Sequence, residues 1–138
     1  MKRDESQTLL EKYEIKATAP RKAILALLTK EHKPLTLAHI ARKSRDESMA
    51  SVYRTLELFV RKGLIQIVAL GERAMAYELV AGRTHHHHVI CVKCGDLEDI
   101  AHCSVPAVKS VLSHSKKFVS LSHHSLEFFG TCKTCVKK

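Results

Sequence analysis

Apolar residues recur at helical spacing in four segments of the N-terminal half of the chain. Residues 7–13 carry their apolar side chains on one side, which predicts a short amphipathic helix. A second predicted helix begins after Thr18, a suitable N-cap, and has Pro20 in its first turn. Thr36 is expected to cap a third helix over residues 37–43.

The fourth segment, residues 48–63, has the clearest amphipathic pattern. Its apolar positions Val52, Leu56 and Phe59 follow one stripe of a helix, and Val60 extends that stripe. Gly63 can adopt the left-handed conformation that ends a helix. The positions opposite the stripe are expected to face outward: Ala50, Arg54, Glu57 and Arg61.

The helical segments are followed by a hairpin pattern. Residues 64–70 and 75–79 flank a Gly-Glu-Arg turn. Three helices, a presented fourth helix and a two-stranded wing together predict a winged helix-turn-helix.

The net charge of the chain indicates the kind of partner that this fold would bind. The 138 residues contain 23 Lys and Arg against 14 Asp and Glu, a net charge of +9. A basic protein of this kind favours a polyanion, and double-stranded DNA is the first candidate. No apolar run approaches the roughly 20 residues of a membrane span, and the N-terminus lacks a secretory leader, so we expect a cytoplasmic protein.

The first turns of the fourth helix carry side chains that suit DNA recognition. Ser51, Tyr53 and Arg54 can enter a major groove, where Arg reads guanine or holds a phosphate. Lys16 and Arg21, at the start of the second helix, are placed to meet the flanking backbone. Each basic residue alone could merely solvate a helix face, but together with the net charge they favour DNA binding.

Cysteine and histidine divide the chain into two parts. No Cys and only two His occur before Val80, whereas the remainder holds all five Cys and the other eight His. The sequence therefore predicts a DNA-binding domain over residues 1–80, a hinge over residues 81–83 and a metal-binding domain over residues 84–138.

Two C-x2-C pairs predict a structural zinc site. Each pair supplies two thiolates, and four thiolates close a tetrahedral Zn²⁺ site against water and substrate. Two thioredoxin-type redox pairs are the alternative, which we reject because neither pair is expected to open a helix after a strand. The predicted ligands are Cys91, Cys94, Cys132 and Cys135.

A run of four His, residues 85–88, precedes the first pair. In an extended segment alternate side chains point to opposite faces, so His86 and His88 form one pair and His85 and His87 the other. Parity alone therefore suggests two metal positions on opposite faces.

Several motifs, in order along nearly the whole chain, resemble the ferric uptake regulator (Fur) family of metal-responsive repressors. The resemblance implies an α+β homodimer, with an N-terminal winged helix-turn-helix and a small α/β dimerisation domain carrying the four-cysteine zinc site. It also implies binding to palindromic operator DNA when a regulatory divalent ion bridges the two domains. The motifs are Thr-Ala-Pro-Arg at 18–21, Ala-Ser-Val-Tyr-Arg at 50–54, the block 85–94, Ser-His-His-Ser-Leu at 122–126 and Cys-x-x-Cys at 132–135.

The resemblance also implies a regulatory ligand set drawn from both domains. Three imidazoles and two carboxylates without a thiolate suit Fe(II) or Mn(II) better than Zn(II), although zinc can also occupy such a set. The implied ligands are His32, Glu78, His86, His88 and Asp99.

Two residues point to different branches of the family. Asp99, where iron-sensing members usually carry Glu, resembles the peroxide-sensing branch, in which Fe(II) held by such a set leads to oxidation of its His ligands. Arg54 resembles the iron- and zinc-uptake regulators instead. We hypothesise an Fe(II)-dependent repressor, with peroxide sensing or zinc-uptake regulation as alternatives.

An auxiliary metal site of the family uses the other face of the His strand, here His85, His87 and His124. The usual carboxylate of that site falls near Pro106 and Ala107, which cannot ligate. The site is therefore either incomplete or completed by His102 or Cys103, and Cys103 would shift the preference of the site toward zinc. A small buried apolar role for Cys103 is an equal alternative.

Other classes of function fit less well. No zinc-hydrolase helix, deaminase signature, nucleophile elbow or phosphate loop is present, so we expect neither an enzyme nor a small-molecule substrate. A structural zinc module for protein partners would leave Tyr53 and Arg54 unexplained and would bind DNA without regard to metal.

Overall fold

The computed structural model describes residues 4–44, 47–72, 74–103 and 105–137. The chain forms two compact units, Met1–Arg83 and Thr84–Lys138. Residues 81–83, predicted as a hinge, fall at the end of the first unit. Within the described residues, no helix is long and apolar enough to cross a membrane.

The first unit contains four helices and a small sheet. The first helix is longer at its start than predicted, because Asp4 accepts a hydrogen bond from the backbone N–H of Ser6 and caps it. The elements in chain order are α1 (Glu5–Lys12), α2 (Ala19–Lys30), β1 (Leu35–Thr36), α3 (Leu37–Lys43), α4 (Met49–Arg61), β2 (Ile65–Ala69) and β3 (Met75–Leu79).

Of the two predicted caps, Thr36 makes its capping bond and Thr18 does not, and Ser48 caps α4 in addition. Thr36 Oγ1 accepts from the backbone N–H of His39, and Ser48 Oγ accepts from that of Ser51. Thr18 occupies the N-cap of α2 in an extended conformation but makes no side-chain capping bond. Gly63, just past α4, has φ of 75° and lets the chain turn into β2.

One hydrophobic core holds this unit together. Val52, Leu56 and Phe59 of α4 are fully buried, and the outward positions opposite them are exposed. Val60 is only half-buried and lies against the edge of this core. Removing so much apolar surface from water is the main source of stability for the helices.

The wing has three strands rather than the predicted two. The hairpin of β2 and β3 is antiparallel, as expected, with Gln66 opposite Glu78. The two-residue β1 adds to the free edge of β3, pairing Leu35 with Tyr77. A strand of two residues has no detectable alternation, so the sequence carried no signal for it.

The second unit is a three-stranded sheet with two short helices. The sheet has the order β5-β4-β6, with β4 antiparallel to β5 and parallel to β6. Its register places His88 opposite Asp99 and Cys91 opposite Gly130. The elements are β4 (His87–Cys91), β5 (Leu97–Ile100), α5 (Val105–Ser113), β6 (Glu127–Gly130) and α6 (Lys133–Val136).

Candidate metal centres and nucleic-acid interface

Three of the five predicted DNA-contacting residues lie around one cavity of the first unit, and Lys16 and Tyr53 are not part of its lining. Arg21, Ser51 and Arg54 line one cavity of about 260 Å³, together with Thr18, Pro20 and Thr55. This brings the start of α2 beside the first turns of α4. Two basic side chains therefore border a concave surface next to an exposed helix, a geometry suited to a phosphate backbone.

Hydrogen bonds hold several of these side chains in place. Arg21 Nη1 donates to the carbonyl of Lys16 at 2.9 Å, so its guanidinium is fixed across the loop before α2. Ser51 Oγ donates to Glu47 Oε2 at 2.6 Å. Tyr53 is 44% exposed, and a hydrogen bond to Glu57 one turn later raises its pKa.

The four cysteines of the two C-x2-C pairs lie in one cluster. Their sulfur atoms are all within 4.8 Å of one another. Cys94 Sγ and Cys132 Sγ are 3.8 Å apart, and two thiolates on a tetrahedral zinc with Zn–S bonds of about 2.3 Å would be about 3.8 Å apart. The donor set therefore fits a closed zinc site, and the metal itself stays a prediction.

The sheet register brings the two pairs together. Cys91 ends β4 beside Gly130 at the end of the parallel strand β6, and Cys132 follows two residues later. Directly after β4, the chain makes a turn between Cys91 and Asp96, and Gly95 in this turn has a φ of 78°.

Backbone N–H groups point at the sulfurs of this cluster. Asp96 N–H donates to Cys94 Sγ and Cys132 N–H donates to Cys91 Sγ, both at 3.4 Å. The bond from Cys132, with that from Cys94, lowers the pKa of Cys91 to about 6. The hydrogen bond with the Cys132 thiol raises the pKa of Cys135 to about 12. Backbone donors of this kind stabilise thiolates, the form that binds zinc.

The expectation that neither C-x2-C pair opens a helix after a strand is wrong for the second pair. Cys132 is the N-cap of α6 and follows β6, so the second pair does open a short helix after a strand. Two separate redox sites are still disfavoured, because the sulfur atoms of the two pairs lie in a single cluster.

His86 and His88 share one side of the His segment, as parity predicts, with ring centroids 4.9 Å apart. Their segment is extended, although β4 itself begins only at His87. His88 Nε2 lies 3.5 Å from Asp99 Oδ1 on the neighbouring strand. His86 Nδ1 donates to the carbonyl of Thr84 at 2.9 Å, so Nε2 is the nitrogen of the neutral ring that can ligate.

The first unit contributes the other two members of the predicted regulatory set. Glu78 on β3 is only 2% exposed. Gln66 Nε2 donates to its Oε1 at 2.6 Å, and Arg83 Nη1 lies 3.6 Å from its Oε2. His32 lies exposed in the loop after α2, and its carbonyl accepts from Arg83 Nη2 at 3.5 Å.

Gln66 and Arg83 were missed by the sequence reasoning. Burying a carboxylate is costly unless it is paired and hydrogen-bonded, and these two residues supply both compensations to Glu78. The position of Gln66 could have been found by counting back from the hairpin turn, which places it opposite Glu78. Arg83 lies outside the hairpin and carried no such signal.

A third cluster, the His-Cys cluster, consists of His85, His87, Cys103 and His124. Its donor atoms lie within 4.8 Å of one another. His87 is 2% exposed, and its pKa is lowered by burial and by the neighbouring His85 and His124. The cluster therefore disfavours protonated imidazole at its centre.

Of the two residues considered for the fourth position of this cluster, Cys103 is the one found there. Its sulfur lies 3.2 Å from His124 Nε2, so it does not act as a purely apolar side chain. His102, by contrast, is exposed and belongs to no described cluster. Pro106 and Ala107 are exposed in the first turn of α5 and offer no ligand atom.

Comparisons with known proteins agree with this architecture. The ferric uptake regulator family model matches residues 12–129. The peroxide-responsive repressor of Staphylococcus epidermidis is 29% identical over 137 residues, covering 96% of this chain and 89% of the relative. The peroxide operon regulator of Bacillus subtilis is 30% identical over 128 residues, covering 90% and 86%.

Solved structures give the same result. The ferric uptake regulator of Francisella tularensis, determined with iron, has a TM-score of 0.67 and 30% identity, covering 88% of this chain and 95% of its own. The ferric uptake regulator of Helicobacter pylori has a TM-score of 0.74 and 24% identity, covering 100% and 99%. The predicted fold class, an α+β chain with a winged helix-turn-helix, is confirmed.

Proposed function

The chain belongs to the ferric uptake regulator family and is a metal-dependent transcriptional repressor, and from this premise we propose how it works. It binds palindromic operator DNA as a homodimer when a regulatory divalent ion, Fe(II), is bound. A structural zinc on Cys91, Cys94, Cys132 and Cys135 stabilises the second unit. We expect this activity in the cytoplasm, where operator DNA is found.

The regulatory site is supported most directly by the pairing of His88 with Asp99. The sheet register places these residues on adjacent strands, and His86 extends the same side of the His segment. Imidazole is a borderline ligand and carboxylate is a hard one. Two imidazoles with a carboxylate therefore suit Fe(II) or Mn(II). Zinc remains a competitor, because raw affinity increases toward the end of the first-row series.

Glu78 and His32 complete the proposed ligand set from the first unit. Glu78 is buried and holds an anionic oxygen between Gln66 and Arg83. When ligands from both units bind one ion, its binding free energy can select one relative orientation of the DNA-binding helices. Metal binding and operator binding would then strengthen each other by the same factor.

DNA is contacted by α4 and the start of α2 in this proposal. Ser51, Tyr53 and Arg54 enter the major groove, while Lys16 and Arg21 meet the phosphate backbone. The exposure of Tyr53 and Arg54 and the cavity shared by Arg21 and Arg54 support this assignment.

The test is a metal titration of operator affinity. Protein that retains its tightly bound zinc is titrated anaerobically with Fe(II), Mn(II) or Zn(II), and its affinity for a palindromic duplex is measured at fixed salt. We expect at least about tenfold tightening with Fe(II) or Mn(II), a coupling of about 1.4 kcal/mol. The tightening should disappear in His86→Ala and persist in His114→Ala, which removes an exposed His outside the described clusters.

Equal affinity with and without every ion would contradict a metal-gated repressor. Tightening by Zn(II) alone would identify a zinc-responsive regulator instead. Loss of the effect in His114→Ala as well would show that the titration does not report on the proposed ligands.

Peroxide sensing is the second candidate function. It is favoured by Asp99 as the carboxylate beside His88 and by the two relatives described above, one named a peroxide-responsive repressor and the other a peroxide operon regulator. In that case, peroxide treatment of Fe(II)-loaded protein adds the mass of an oxygen atom to His32 or His86 and weakens operator binding. Peptide mass spectrometry separates the candidates, since unmodified His32 and His86 would support the iron-uptake role. Mn(II)-loaded protein is the control.

A further inference from the structure

The His-Cys cluster gathers side chains from three distant segments of the second unit. His85 and His87 lie at the start of β4, Cys103 lies between β5 and α5, and His124 precedes β6. The donor atoms converge, since all four lie within 4.8 Å of one another. This is a different set of residues from the proposed regulatory ligands and from the four-cysteine cluster.

The distances within the cluster are close to those of a tetrahedral metal site. His85 Nε2 is 3.1 Å from His87 Nε2 and 3.1 Å from His124 Nε2, and Cys103 Sγ is 3.2 Å from His124 Nε2. With Zn–N bonds of about 2.0–2.1 Å and Zn–S bonds of about 2.3 Å, tetrahedral neighbours are about 3.3–3.6 Å apart. An ion could therefore bind with only small movements of the side chains.

A network of hydrogen bonds does not account for this arrangement as well. His85 Nε2 faces two other ring nitrogens, and a single proton on it can donate to only one of them. Any remaining pair of unprotonated nitrogens then brings two lone pairs together. A cation at the centre would turn every such contact into a favourable one.

We propose that Cys103 is the fourth ligand of a zinc ion in the His-Cys cluster, with its thiolate in the place of the carboxylate that is usual in the family. Three imidazoles and one thiolate form a softer set than the proposed regulatory ligands and favour Zn²⁺ over Mn(II). With four protein ligands the site is closed, as in structural rather than catalytic zinc sites. The inference concerns the second unit alone and does not depend on DNA binding.

Zinc at this position would hold two other chain segments, those of Cys103 and His124, to the start of β4. Because the unfolded chain does not present the four donors together, binding stabilises the folded second unit. The cluster is thus assigned a role in the stability of that unit, in addition to the four-cysteine site.

The experiment uses Co(II) as a spectroscopic substitute for zinc. The full-length protein is prepared with zinc retained in the four-cysteine cluster, verified by elemental analysis, and is then titrated with Co(II) anaerobically. Because the regulatory ligands include no sulfur, a sulfur-to-cobalt charge-transfer band in the near ultraviolet reports Cys103. We expect this band together with the intense visible bands of tetrahedral Co(II), and we expect added Zn²⁺ to abolish both.

Three variants make the assignment specific. Cys103→Ser is expected to lose the sulfur band and to weaken Co(II) binding at this site at least about tenfold. Cys103→Asp should keep tetrahedral Co(II) without the sulfur band, and this guards against loss of binding through misfolding. His123→Ala, which removes the exposed neighbour of His124, is the matched control and should behave like the parent.

The proposal is wrong if the parent shows no sulfur band while Co(II) is bound, or if the band survives in Cys103→Ser. A band equally weakened in His123→Ala would also contradict it. Because no DNA is present, these outcomes are independent of the operator titration, in which His86→Ala decides the proposed function.

Discussion

Arg54 is the residue whose proposed role in DNA recognition is simplest to test. It lies on the exposed face of α4 one turn from Ser51, and the buried stripe of the same helix fixes that face. Because the helix is anchored by its core residues, the backbone of Arg54 has a fixed place on the surface of the first unit before DNA binds. A backbone fixed in advance lowers the entropy lost on binding.

Arg54→Ala is expected to weaken operator affinity by about 1–3 kcal/mol when the guanidinium reads a base, and to relax specificity at one operator position. If Arg54 contacts only phosphate, the loss of affinity is uniform across sequences. The slope of log affinity against log salt concentration then becomes shallower by about one. Binding to operator variants at several salt concentrations distinguishes the two.

Arg61→Ala is the control for this substitution. Arg61 is an exposed arginine in the last turn of the same helix, so its removal makes the same change in net charge. An equal effect of both substitutions would show that Arg54 acts only through the overall charge.

Glu78 illustrates a residue whose environment decides its chemistry. Burial of a carboxylate is costly, and Gln66 and Arg83 offset that cost for Glu78 with a hydrogen-bond donor and a positive charge. The same two contacts hold its oxygens in fixed directions, and such orientation of a candidate ligand commonly tunes metal affinity.

The helix that carries the proposed DNA-contacting residues, α4, has a well-defined end. It ends at Arg61 with Lys62 as its C-cap, and Gly63 with φ of 75° redirects the chain so that Leu64 N–H can donate to the carbonyl of Phe59. This is the hydrogen-bonding pattern of a helix that closes through a left-handed residue. The direction in which the chain enters the wing therefore depends on the backbone conformation of Gly63.

Gly63→Ala is expected to destabilise the first unit by about 1–2 kcal/mol, because L-residues other than glycine pay that cost in the left-handed region. No atom lies within 4 Å of the added Cβ, so the loss is conformational and not a clash. Chemical denaturation followed by circular dichroism measures it.

Gly63→Asn tests the cause, since Asn tolerates the left-handed region better than Ala. We expect Asn to recover part of the lost stability. Equal destabilisation by Ala and Asn would mean that the backbone conformation at residue 63 is not the reason.

Strand β4 is the element that separates the two His sites. Alternation along the extended segment sends His86 and His88 to one side and His85 and His87 to the other. Four consecutive residues can therefore contribute to two proposed sets of ligands with different partners, Asp99 on one side and His124 on the other.

At the scale of the whole molecule, the two units differ in what stabilises them. The main buried hydrophobic cluster lies entirely in the first unit. In the second unit the fully buried apolar side chains are few, and large ones such as Val119 and Phe128 are exposed. A small unit with so thin a core is expected to need metal for stability.

Removing the structural zinc with a strong chelator is therefore expected to unfold the second unit and leave the first intact. Cys132→Ser should have the same effect, whereas Thr134→Ala, an exposed change in α6, should have little. Residue-resolved NMR spectra report each unit separately. Unchanged signals from β4 and β6 after verified zinc loss would contradict this expectation.

The sequence by itself determined the elements whose signals are local. The stripe of α4, its start near Ser48 and the cap at Thr36 follow from periodicity and from a side-chain bond spanning a few residues, and the structure has them where predicted. The pairing of His86 with His88 and of His85 with His87 followed from alternation alone. C-x2-C spacing similarly pointed to four thiols in one cluster.

Only the tertiary structure decided the contacts that join distant segments. The edge strand β1, the pairing of Glu78 with Arg83 and the choice of Cys103 over His102 beside His124 each depend on where separate segments meet. Sequence periodicity describes the faces of one element, whereas contacts between separate segments are determined by packing and sheet register. For that reason the kinds of ligand could be predicted, but not which residue completes the His-Cys cluster.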